Sequence, residues 1–264
     1  MSKYQKIITI LLCLSVTQLS AQKGIELGGQ IGLAHYFGDL NPDFAVTDPG
    51  LAFGVKLRRN FNERVSISGG VDYARISGSD ENSNNQFELD RNLNFQSNVL
   101  DFNASIEFNF FPYFHGSDDE YYTPYIFTGF SVMTFNPRAD FQGESFDLRE
   151  LMTEGIDYGL ATATWFYGIG VKWDYNRDWS FNVALSGRNT ASDFLDDVST
   201  LYPASTPSTA AGAALSNPST VEGFGLPGTQ RGNSQANDRV FFLTIGLFRY
   251  IGQIQCPKIT KGLY

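Results

Sequence analysis

Histidine and cysteine are almost missing from this chain. It has two of each in 264 residues, and the cysteines are Cys13 and Cys256. So sparse a set excludes a zinc cluster of cysteines and a multi-bridge disulfide scaffold. Long apolar runs are missing as well. Beyond residue 21 no stretch stays apolar for the roughly eighteen positions that a helical membrane span needs, and mean hydropathy is −0.20. Positive charge is scarce, with 19 Lys and Arg against 28 Asp and Glu. That balance excludes the basic stripe required to meet nucleic-acid phosphates.

The N-terminus reads as an address rather than as structure. Lys3 and Lys6 precede an apolar run over 7–16, and Leu19-Ser20-Ala21-Gln22 supplies a small residue before a cleavage point. This pattern predicts a secretory signal peptide over 1–21. Cys13 follows Leu12 deep inside the apolar run, which does not suit lipidation at a cleavage site. Removal of the signal leaves 17 basic and 28 acidic residues, net −11, with Cys256 as the single thiol and no partner for an internal disulfide.

What the chain does have is alternation, aromatic residues (15%) and 26 glycines. Over 100–111, Leu100, Phe102, Ala104, Ile106, Phe108 and Phe110 share one parity, while Asp101, Asn103, Ser105, Glu107 and Asn109 share the other. A strand sends successive side chains to opposite faces, so this one separates two solvents. In a soluble sandwich the polar face would meet water. In an outer-membrane barrel the apolar face would meet lipid, and a run of roughly ten tilted residues crosses a bilayer.

Seven further segments repeat the pattern. They are 25–34, 51–58, 65–73, 125–135, 165–174, 179–188 and 241–250, of which 125–135 is the least regular because Tyr125 and Phe127 occupy its polar parity. The links between these eight strands are roughly six, ten and four residues after the even-numbered strands and roughly thirteen, twenty-one, twenty-seven and fifty after the odd ones. A sandwich has no reason to sort its loops by parity. The pattern predicts an all-β fold: an eight-stranded antiparallel transmembrane β-barrel in the outer membrane over 22–252, with short periplasmic turns, long extracellular loops and a periplasmic tail over 253–264.

The long loops hold 18 acidic residues against Arg91, Arg138, Arg149 and Arg231. On the inward parity, Glu26, Asp72, Asp101, Glu107 and Asp174 stand against Lys56, Arg58, Lys172 and Arg188. An eight-stranded interior is just wide enough to be filled by side chains, so Lys56, Arg58, Asp72, Asp101, Glu107, Lys172 and Arg188 are expected to form a paired plug rather than an ion path. His35 and His115 fall at opposite ends of the barrel, so no catalytic group assembles around either, and neither a cofactor nor a resident metal is expected. Asp193, Asp196 and Asp197 offer carboxylates to a cation, but an acidic surface loop is ordinarily solvated. Residues 200–219, rich in Ala, Ser, Thr and Pro, either move freely or fold over the barrel mouth. Cys256 is either an inert thiol or a site of intermolecular bonding in an oxidising compartment.

Three segments carry a resemblance. Tyr36-Phe37-Gly38-Asp39-Leu40, Asp90-Arg91-Asn92-Leu93-Asn94-Phe95 and Asp193-Phe194-Leu195-Asp196-Asp197-Val198-Ser199 resemble the PorG-like outer-membrane barrels of Bacteroidetes. The resemblance implies a component of the type IX secretion system that tethers a periplasmic ring, made of a lipoprotein and its soluble partner, to the outer membrane. The ring-facing surface would then be the short turns and the tail, with Gln255, Cys256, Pro257, Lys258 and Lys261 as contact residues. The competing expectation is a surface barrel, adhesive or ligand-binding, that acts through its acidic loops.

Overall fold

The computed structural model describes residues 24–41 and 48–252. The expected signal peptide and the tail with its contact residues lie outside them. Eight long strands close a ring: β1 (Gly24–Phe37), β2 (Gly50–Asn60), β3 (Val65–Ser79), β4 (Asn94–Asn109), β5 (Tyr122–Thr134), β8 (Ala161–Asp174), β9 (Trp179–Thr190) and β10 (Arg239–Gly252). A short hairpin, β6 (Pro137–Phe141) and β7 (Glu144–Asp147), stands on the end of β4. Every neighbouring pair is antiparallel, and β1 pairs with β10 to complete the closure. The ring has no free edge, so each strand's backbone groups are satisfied within hydrocarbon. Gly24 lies opposite Gly252, which brings both ends of the barrel chain to one rim, together with the turns 61–64, 110–121 and 175–178.

The alternation sorts the side chains. Phe102, Ile106 and Phe108 are exposed on the outside of β4, while Asp101, Asn103, Ser105 and Glu107 are buried inside. Ile31, Leu51 and Phe130, on three different strands, are 70–74% exposed. Side chains of this size left in contact with the surroundings all round a closed barrel mark a lipid-facing belt. Phe61, Phe111, Tyr122, Trp173, Tyr175 and Trp179 are exposed at or near the short-turn rim, where a bilayer interface favours aromatic rings. Tyr125 and Phe127, irregular in the sequence pattern, fill the lumen with Phe166 and Ala184. Room for them comes from glycine across the pair: a Cβ at Gly168 would meet the Phe127 ring at 2.3 Å, and one at Gly170 the Tyr125 ring at 2.6 Å.

The links after β1, β3, β5 and β9 are each longer than their neighbours, as expected, but around β4 the contrast is small. β3 runs on to Ser79 and β4 begins at Asn94, so the polar stretch read as a loop over 77–97 is largely strand. The link 80–93 holds a 3-10 turn (Asp80–Asn82) and a helix (Gln86–Arg91), and the turn 110–121 is as long as the link 38–49. The reason is a reversal of polarity above the belt. There Ile76, Phe95 and Val99 point inward while Arg75, Gln96 and Asn98 point outward, so the upper barrel has an apolar interior and a wet exterior, as in a soluble protein. Ala34, Tyr36, Met133, Val240 and Phe242 join Leu40, Leu93, Leu148, Leu195, Val198 and Leu215 from the loops in one core that fills the mouth.

Candidate functional site

Two buried constructions occupy the lumen and its mouth. In the lower lumen, Arg58 on β2 reaches Glu26 on β1 at 2.6 Å and Glu107 on β4 at 2.7 Å. Lys172 on β8 shares Glu107 at 2.7 Å and donates to Asn109 Oδ1 at 3.0 Å. The cations are also covered by rings, with Arg58 4.7 Å from the Phe248 centroid and Lys172 4.5 Å from that of Tyr125. In the upper tier Arg188 on β9 pairs with Asp101 at 2.8 Å and Asp72 at 3.0 Å and lies 3.8 Å over Phe242. Gln30 and Asn103 donate to Asp72 as well. Of the expected plug residues, all but Lys56 meet in these two tiers. Lys56 sits among them, 5.7 Å from the Phe127 ring centroid, and makes no ion pair with a described residue.

Sequence reasoning missed the base of the plug. The turn 110–121 folds up into the barrel and places His115 between Glu26 (3.1 Å) and Asp174 (3.0 Å), with its ring stacked on Tyr250 at 4.4 Å. Tyr113 donates to the same Asp174. Burial disfavours the imidazolium, but the hydrogen bonds to Asp174 and Glu26 outweigh it and raise the His115 pKa to about 9. The sequence signal was the pair Tyr113 and His115, two amphipathic rings two residues apart in a turn that also holds Phe110, Phe111 and Phe114 ahead of the acids 118–120. His35 lies at the other end of the barrel, beside Asn41 (3.0 Å) and edge-on to Phe37.

The mouth is a folded cap, and here the expectation of solvated loops is corrected. Asp193, Asp196 and Asp197 are buried, as are Asp80, Glu154 and Asp238. Two arginines tie the loops together. Arg91 forks onto Asp80 (2.7 and 2.8 Å) and donates to the backbone oxygens of Arg231 (2.6 Å) and Asp39 (2.7 Å). Arg231 meets Glu154 at 2.9 Å and donates to the Asp197 carbonyl at 2.7 Å. Asp197, in the left-handed region at φ 68°, accepts from Thr153 and Tyr158. Burial drives the Asp197 carboxyl up to about 6, against the pull of Arg231, and that of Asp193 to about 7. Of the two expectations for 200–219, folding over the mouth is the one realised: helix Ala210–Ser216, capped by Thr209, buries Ala211 and Leu215, and Ser216 donates to the Thr153 carbonyl at 2.6 Å. No group of three or more His, Cys, Asp or Glu among the described residues is arranged to hold a metal ion.

The three segments that carry the family resemblance meet in this cap. The Tyr36 hydroxyl contacts Asp196, Arg91 holds the Asp39 carbonyl, and Leu40, Leu93, Phe95, Leu195 and Val198 share one core.

A closed barrel of eight antiparallel strands, lipid-facing outside, filled inside and with both ends at the short-turn rim, is a membrane-spanning barrel of the outer-membrane type. Within that class the chain belongs to the family described as a domain of unknown function, DUF6089, whose model matches residues 4–200. No curated protein matches it. Among solved structures it is similar to Neisserial surface protein A, at 10% identity over 85% of this chain and 96% of that one, with a TM-score of 0.46. It is also similar to Ail of Yersinia pestis (10% identity, 87% and 99% covered, TM-score 0.43) and to OprG of Pseudomonas aeruginosa (12%, 88% and 97%, 0.44).

Proposed function

We propose that this chain is a static, non-enzymatic anchor: a barrel component of the type IX secretion system that holds a periplasmic ring lipoprotein and its soluble partner against the outer membrane. The observation that carries a static role is the filled lumen. Arg188 closes the upper tier, Arg58 and Lys172 the lower one, and His115 the base, so the work falls to the rims. The assignment to that secretion system rests on the resemblance of residues 36–40, 90–95 and 193–199. On this reading the ring engages the short-turn rim and the tail with Gln255, Cys256, Pro257, Lys258 and Lys261.

A second reading has one observation in its favour, the folded cap: a built outer surface over acidic loops suits a surface barrel that binds an external ligand. Deleting 253–264 separates the two. The tether predicts that the barrel still assembles while the ring lipoprotein no longer co-purifies with it from outer membranes. Retained co-purification and unchanged secretion, with a defect seen only on trimming 200–219, would refute the tether in favour of the surface reader.

A further inference from the structure

The ties of the cap include one that the arginines do not explain. Tyr36, at the top of β1, places its hydroxyl oxygen 2.6 Å from Asp196 Oδ2 and 2.8 Å from Asp238 Oδ1. The other carboxylate oxygens are already engaged, Asp196 Oδ1 by the Val198 N–H and Asp238 Oδ2 by the Leu195 N–H, each at 2.9 Å. All three side chains are fully or almost fully buried, and neither aspartate forms an ion pair with a described residue.

A phenol has one proton. It can donate to one of these carboxylates, and the second contact then joins two oxygens with no hydrogen between them unless the other carboxyl supplies it. Two buried anions on one hydroxyl, with no cation in contact, would also be strongly disfavoured. We infer that the mouth of the barrel contains a proton-binding site: Asp196 and Asp238 share one bound proton, relayed through Tyr36, and that proton clamps the cap onto the barrel. In the clamped state one carboxylic acid donates to the Tyr36 oxygen, and Tyr36 donates to the remaining carboxylate. No partition of the proton between the two aspartates is needed, because the pair titrates as a unit.

The surroundings fit. The groups that face the pair are Asp39 from the link after β1, Arg91 from the link after β3, Tyr158 from the link after β5, and Asp193 beside Asp238. Burial first, then the neighbouring acids, raise both Asp196 and Asp238 well above the ordinary carboxylate range. For such groups the stabilisation is complete below the unfolded value and is lost as pH rises through the folded one. Loss of the proton therefore loosens the cap from the alkaline side. The inference concerns the outer mouth and is independent of the tether proposed for the opposite rim.

The test uses the full chain refolded in phospholipid vesicles, with cleavage of 191–238 by a protease as the measure of cap opening. Asp39, Asp193 and Asp197 have carboxyls raised to about 6 or 7, so the informative range begins about one unit higher, near pH 8. There the wild-type cleavage rate should climb by up to about tenfold per pH unit, as one proton leaves on opening. In D238N the carbonyl still accepts from Leu195 and the amide donates to Tyr36, so the clamp persists without a proton and the slope vanishes. An infrared carbonyl band of a protonated carboxylic acid should be present in the wild type at pH 8 and lost in D238N. A flat wild-type profile, an undiminished slope in D238N, or a wild-type spectrum without that band would each overturn the inference. Should D238N fail to assemble, the wild-type band alone decides.

Discussion

Removing Arg58 is the most direct trial of the plug. The residue is 1% exposed and holds Glu26 at 2.6 Å and Glu107 at 2.7 Å. Taking one partner from a buried ion pair costs about 3–5 kcal/mol, because a desolvated charge is left behind. In Arg58→Met each orphaned carboxylate keeps one cation, His115 for Glu26 and Lys172 for Glu107, which places the expected loss near the lower bound, about 3 kcal/mol. Urea unfolding of the vesicle-inserted barrel, followed by tryptophan emission and gel mobility, should show a lower midpoint with an unchanged slope. The double variant Arg58→Met, Glu26→Gln removes one charge of each sign and leaves Glu107 balanced by Lys172, so it should recover most of the loss. A single variant within about 0.5 kcal/mol of wild type, or a double variant no better than the single, would refute a plug held by charge pairing.

Two other perturbations probe the base and the belt. The His115 pKa is raised from 6.5 to about 9, so the stabilisation it lends is fully present below about pH 6.5 and is lost as pH rises through about 9. The wild-type unfolding midpoint should fall more steeply across that window than that of His115→Phe, which starts lower; parallel curves would count against His115 as the base of the plug. Phe130 is 74% exposed on the outer wall, and Phe130→Arg should cost about 2–4 kcal/mol of stability in vesicles if the site lies near the bilayer midplane. A change within about 0.5 kcal/mol, typical of a water-facing position, would contradict a lipid-facing wall.

The strand count, the inward and outward parities and most plug residues were legible because one physical rule governs the belt: outside is hydrocarbon, inside is polar. Phe102 and Asp101 could be placed by parity alone. Legibility ended where the solvent changed. Above the belt Arg75, Gln96 and Asn98 face water and Ile76, Phe95 and Val99 face a core, so the same alternation carries the opposite meaning and reads as a polar loop. Asp196 and Asp238 were unreadable for a different reason. An aspartate in a loop is ordinarily hydrated, and only the approach of Tyr36, from a strand at the other end of the sequence, shows that water has been replaced by a hydroxyl. His115 falls in the expected turn, but nothing in the alternation shows that this turn folds into the barrel.

Where the resemblance sits bears on what it can say about function. Residues 36–40, 90–95 and 193–199 converge on the outer cap, where Arg91 and Tyr36 tie them together, yet the proposed ring contact is on the opposite rim. These segments therefore specify how the mouth is closed, and a chain could keep them while changing every residue that faces the periplasm. The reverse also holds, since the short turns and the tail 253–264 could retain a partner while the cap diverged. A barrel filled by the Arg188 and Arg58 tiers is a stiff spacer between the two ends, so changes at one end need not disturb the other. On the proposed tether, partner choice would be read from the short-turn rim, and exchanging that rim between two family members, with each cap left in place, should move the partner with the rim.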